Sequence, residues 1–154
     1  MNNELDNICE ECKKEDDSVT QNLIKPNNLF KAADVLLIQL NSLKNNNIPY
    51  KDAGIEQTWE FAHPNNKAIT GPLDKFKKMI YSENYKILIS HRNSEIIILK
   101  ETRDISVYKV IVLTKSKEKY FFIWQVEKIL LEGDLKNCWM TTSVSNSKYI
   151  GEVI

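Results

Sequence analysis

At 154 residues the chain has the usual size of one domain, long enough to bury a core without disulfides or a structural metal. Lys+Arg and Asp+Glu both number 21, so no broad field of one sign draws in a nucleic-acid backbone or an anionic membrane. Three unevenly placed cysteines make no disulfide framework, the opening lacks a secretory pattern, and no apolar run nears the roughly 20 residues of a membrane span. The expectation is a cytoplasmic protein with no nucleic-acid or membrane partner.

Residues 1–26 are rich in Asn, Glu, Asp and Lys, with too few aliphatics to offset the entropy of ordering them, and read as a mobile polar tail. Residues 27–154 read as a single domain. Leu29, Ala33, Leu36, Leu40 and Leu43 recur at three- and four-residue spacings and predict a first long helix, ended by Asn45, Asn46, Asn47 and Pro49. Asp52 is placed to cap a second helix through Ile55, Trp59 and Ala62, up to Pro64. The stretch His63–Gly71 reads as a polar loop, and Gly71-Pro72 opens a third helix on Leu73, Phe76 and Ile80.

Beyond Asn84 the composition turns to Ile, Val, Tyr, Phe and Thr, and the spacing drops toward alternation. Five strands are predicted near Tyr85–His91, Glu95–Arg103, Ile105–Thr114, Lys119–Leu131 and Asn137–Val144, with turns at Asn93-Ser94, Ser116-Lys117 and Gly133-Asp134. Three helices followed by antiparallel strands make an α+β fold, with the helices on one face of a curved sheet.

Several short stretches carry a resemblance: Asp52-Ala53-Gly54-Ile55, Phe61-Ala62 with Pro64, Gly71-Pro72, and Cys138-Trp139-Met140-Thr141. Together they resemble the nuclear transport factor 2-like, SnoaL-like superfamily, and within it domain of unknown function 4864, across roughly residues 28–149. The resemblance implies a cystatin-like cone, in which a strongly curved, mainly antiparallel sheet of about five strands wraps three helices. It also implies a cavity, which some members use for steroids, epoxides or polyketides and others do not use, holding protein partners instead. No Tyr/Asp or Asp/Arg/Asp arrangement matches the catalytic groups of the superfamily's enzymes, so no catalytic residue is carried over.

The residues themselves offer a few candidates. Cys9-Glu10-Glu11-Cys12 has the spacing of a zinc knuckle or redox pair, but lacks a second ligand pair and sits between acidic residues, so no metal and no cofactor are expected. Asp34 and Asn41 lie seven residues apart at the margin of the first helix and, with Trp59, are the expected pocket residues. His63 reads as serving the end of the second helix and His91 as an exposed strand-end residue. Cys138 and Trp139, adjacent in a strand, point to opposite faces and read as core packing.

Two functions follow. The first is a noncatalytic scaffold that binds a small apolar ligand or a protein. The second is a pocket enzyme of isomerase or hydrolase type, with Asp34 as base and His63 or Tyr85 as proton donor. Both faces of the strand Lys119–Leu131 are apolar, which predicts a homodimer through a sheet face bearing Tyr120, Phe122 and Trp124.

Overall fold

A computed structural model describes residues 22–153. Helix α1 (Ala32–Lys44) starts later than its leucine pattern suggests, because the Asp34 carboxylate receives the Lys31 amide at 2.8 Å and fixes the first turn there. Leu29 is left outside the helix and 86% exposed, and Ala33 also faces outward. The buried stripe is Ala32, Val35, Leu36, Gln39, Leu40 and Leu43.

Helix α2 (Ala53–Glu60) crosses α1 at backbone contact: a methyl group added at Gly54 would lie 1.9 Å from the Ser42 carbonyl oxygen. Asp52 does not cap it, since its backbone is left-handed (φ 63°) and its side chain turns to Asn46 and Tyr81. Buried Asn46 takes that role, its Oδ1 accepting the Ile55 amide at 2.9 Å.

The expected polar loop is instead helix α3 (Pro64–Thr70), with proline in its first turn and His63 as its cap. It buries no side chain, so no apolar stripe marks it in the sequence. Helix α4 (Leu73–Ile80) then buries Phe76 and Ile80. The expected strand at Tyr85–His91 is a 3-10 turn (Lys86–Leu88), and Ser90 beyond it is left-handed at φ 58°.

The sheet comprises β1 (Asn93–Glu101), β2 (Ile105–Leu113), β3 (Glu118–Lys128), β4 (Trp139–Val144) and β5 (Lys148–Glu152), all pairing antiparallel. The architecture is α+β. Strands β1, β2, β3 and β4 lie in that order, and β5 pairs with the first half of β3 on the edge whose second half holds β4. Ser145 joins the two short strands to β3: its amide donates to the Ile123 carbonyl at 2.9 Å and its Oγ accepts the Ile123 amide at 2.7 Å. The sheet is open and is not strongly curled, unlike the wrapping sheet expected from the resemblance.

Helices α1, α2 and α4 form one core with a single sheet face, where Tyr108, Val110, Val112, Phe122, Trp124 and Val126 meet α1, Ile55, Phe61, Phe76 and Ile80. This corrects the expected partner face: Phe122 and Trp124 are buried inside the chain's own core and present nothing to a second molecule. Tyr120 is half-buried and packs edge-on against Tyr149. The outward residues of the same strands include Ile105, Val107, Ile111, Leu113, Phe121 and Ile123, all half-buried, with the Lys109 ammonium over the Phe121 ring.

The boundary at residue 26 also moves. Ile24 is held by both ends of the Gln57 amide, its N–H donating to Oε1 at 2.7 Å and its carbonyl accepting from Nε2 at 2.8 Å, and Lys25 pairs with Glu60 at 3.0 Å. Residues 22–26 are therefore docked on α2 and belong to the folded unit. Residues 1–21, including Cys9 and Cys12, lie outside the described residues.

Candidate functional site

Between the helix layer and the β3–β4 side of the sheet lies a cavity of about 260 Å³. Its position follows from one local feature. Thr141 of β4 pairs with the chain just after α2, its amide donating to Phe61 O and its carbonyl accepting from His63 N, each at 2.8 Å. This bridge carries α3 across the gap, where Asn66, Ile69 and Thr70 become part of the wall. Asn66 adds a contact of its own, Nδ2 to Thr141 O at 3.4 Å. Ile69 is 74% exposed although it lines the cavity, and Ser143 beside it is also exposed, so these residues mark the mouth.

Three buried side chains form a hydrogen-bonded cluster in the wall. Trp124 Nε1–H donates to Gln39 Oε1 at 3.1 Å and to Thr141 Oγ1 at 3.3 Å. The Thr141 hydroxyl donates to the same Gln39 oxygen at 2.5 Å, and Gln39 Nε2 donates to Thr58 O at 3.1 Å. Gln39, Thr141 and Trp124 come from α1, β4 and β3, so the cluster also ties the helix layer to the sheet. Each buried side-chain nitrogen and oxygen among the described residues has at least one partner.

Tyr85 is the single titratable side chain in the wall among the described residues. Its hydroxyl donates to Val144 O at 3.0 Å, its ring stacks on Phe122, and burial raises its pKa above the ordinary phenol value. The remainder of the wall is apolar or neutral, with Leu43, Phe76, Met79 and Leu88 prominent.

The other candidates fall elsewhere. Asp34 is exposed at the start of α1, committed to the Lys31 amide, and Asn41 is exposed on the same helix with its carbonyl taken by Asn45; neither reaches the cavity. Trp59 is half-buried behind the wall, packed on Phe76 at 5.0 Å between ring centroids, with the Lys67 ammonium over its ring. His63 serves the start of α3 rather than the end of α2, its Nδ1 accepting the Asn65 amide at 3.1 Å. Of the three expected acid–base residues, therefore, Tyr85 alone lines the cavity.

His91 is not exposed: it is 3% accessible, its Nδ1 lies 2.7 Å from Leu88 O, and burial lowers its pKa. Cys138 is buried with Ile129 and Met140 in a small second core, and burial pushes its thiol pKa up, away from a reactive thiolate. Trp139, on the other side of the strand, is half-buried under Lys128. Among the described residues, no group of three His, Cys, Asp or Glu is placed to hold a metal, and no helix is long and apolar enough to cross a membrane.

The residues that matter most here were missed in the sequence. Gln39 stands within Leu-Leu-Ile-Gln-Leu, in phase with Leu36, Leu40 and Leu43, and a polar residue at a core position of a helix is the signal that could have found it. Thr58 and Thr141 carried no comparable signal, because threonine fits a helix surface or a strand without further reason. No family model matches this chain, and neither curated proteins nor solved structures give a significant match.

Proposed function

We propose that the protein is a noncatalytic binding module that holds one small, uncharged, mainly apolar molecule in the cavity between its helices and its sheet. The observation that carries this reading is the wall itself: apolar side chains interrupted by neutral hydrogen-bonding groups. A volume of about 260 Å³ lies just under the roughly 300–1,000 Å³ typical of drug-sized ligands, so the occupant is compact. Proton-transfer chemistry finds little support there. Asp34 and His63 point away from the cavity, and the Tyr85 hydroxyl is already engaged with a backbone carbonyl. The helices-then-sheet order and a cavity between the layers also support a nuclear transport factor 2-like arrangement, which we propose as the fold relationship.

The neutrality of the wall gives a direct test. N-phenylnaphthylamine and anilinonaphthalene sulfonate share one ring system and differ in a single sulfonate, and both brighten when taken out of water. The neutral amine should titrate to saturation at one site per chain, while the sulfonate binds at least about tenfold more weakly, since its charge would lie unpaired against neutral groups. Equal binding of the two, or saturation by neither, would contradict the reading.

A further inference from the structure

The hydrogen bonds around Gln39 leave a specific residue of unused capacity. An indole N–H can only donate, so the Gln39 atom facing Trp124 is the carbonyl oxygen, and the amide's orientation is thereby fixed. That oxygen also accepts from Thr141 Oγ1, so both of its lone-pair directions are taken. Nε2 carries two N–H groups, and one donates to Thr58 O. The other has no partner among the described residues, on a side chain that is 1% exposed and forms part of the cavity wall.

A side chain this deeply buried is thus set up to give one hydrogen bond and to receive none. We infer that Gln39 is the specificity-determining residue of the cavity, and that the ligand is a compact neutral carbonyl compound whose oxygen accepts the free N–H of Gln39. A carbonyl oxygen satisfies this donor with no further partner, whereas a hydroxyl in the same place must also find an acceptor for its own proton, and the Gln39 oxygen, taken by two donors, does not supply one. The Tyr85 hydroxyl complements this arrangement: having given its proton to Val144 O, it offers only lone pairs, so it accepts from a ligand donor if one is present. Thr141 and Trp124 act through Gln39 as positioning residues, holding the amide so that its nitrogen and not its oxygen is available.

This inference rests on the cavity being a ligand site, and the experiment separates the two claims. Propionyl-dimethylaminonaphthalene is a neutral ketone, and its propyl analogue has the same shape without the oxygen. Infrared difference spectra of the isotopically labelled ketone bound to the full chain should show the carbonyl stretch lowered relative to the same ketone in hydrocarbon. Gln39→Met keeps the side-chain length and removes the donor, and it leaves the Trp124 N–H its contact with Thr141. It should weaken the ketone about three- to tenfold and return its stretch toward the hydrocarbon value, while the propyl analogue, which leaves that donor unpaired in the unaltered protein, binds no more weakly than before. A hydrocarbon-like stretch in the unaltered protein overturns the inference even if Gln39→Met fails to fold. Equal weakening of both probes overturns it while leaving the cavity a ligand site, and binding of neither probe overturns both.

Discussion

Helices α1 and α3 contribute to the wall of the same cavity, yet α1 buries six side chains along its length and α3 buries none. Leu36, Leu40 and Leu43 fix α1 in the core against the inner sheet face, whereas α3 is held at its ends: by the His63 and Asn66 contacts to Thr141 at one, and by the fit of Gly71 against Trp59 at the other. The difference separates two kinds of wall. One side of the cavity is part of what makes the chain fold, and the other is a cover laid over it, stabilised by little apolar burial of its own.

This contrast is open to mutation, and the effects should fall in a definite order. Leu36→Ala removes a fully buried side chain from α1 and should destabilise the protein by about 2–5 kcal/mol, measured by urea unfolding at constant m. Gly71→Ala acts on the cover: the added methyl would lie 2.6 Å from Lys67 O and 2.7 Å from Trp59 Cη2, so the end of α3 must shift. The expected cost is about 1–3 kcal/mol, with faster exchange of the N-phenylnaphthylamine probe because the cover no longer seats on Trp59. Ile69→Ala, at the exposed mouth, should change stability by less than about 0.5 kcal/mol. If Ile69→Ala costs as much as Leu36→Ala, then α3 is core and the distinction fails.

Acid sharpens the same contrast from the α1 side. His91 lies under the end of α1, beside the left-handed Ser90 whose amide donates to Leu43 O at 3.0 Å. Burial lowers its pKa, the positive charge of Lys44 acts in the same direction, and the hydrogen bond to Leu88 O opposes both. The unfolded chain, with an ordinary histidine pKa of about 6.5, takes up the proton first as pH falls. The contribution of His91 to stability is therefore complete above about pH 6.5 and declines below it. Stability measured across that range should show the decline, and His91→Gln should remove it; an unchanged profile in the variant would assign the acid sensitivity elsewhere.

What the sequence revealed follows the same division. The core side was legible: α1, α2 and α4 carry apolar periodicity, and the strands β2 and β3 alternate in a way that survives in the structure, because burial on one face forces the pattern. The cover was not. Helix α3 has no buried face to leave a trace, and Asn65-Asn66-Lys67 reads locally as a loop. Strand β5 escaped because its burial is slight, and the 3-10 turn at Lys86–Leu88 passed for a strand because Ile87, Leu88 and Ile89 are apolar for packing reasons. For the strand Lys119–Leu131 the alternation was read correctly but its inward face was assigned to a partner, since periodicity defines two faces without saying which one the helices cover. The hydrogen-bonded cluster was hidden for a related reason: Gln39, Trp124 and Thr141 are far apart in the chain and gain meaning only when α1, β3 and β4 are brought together.

The central claim, that a small neutral molecule occupies the cavity beside Gln39 and Trp124, is tested most directly by following side-chain N–H signals in a proton–nitrogen correlation spectrum during titration with N-phenylnaphthylamine. The chain has three tryptophans, and only one of them contributes to the cavity wall among the described residues. The account predicts that the Trp124 indole and the Gln39 side-chain amide shift together and saturate at one equivalent, while the Trp139 indole, which packs under Lys128 and does not line the cavity, stays in place. Movement of Trp139 or of the outward β2–β3 amides, with Trp124 stationary, would contradict it.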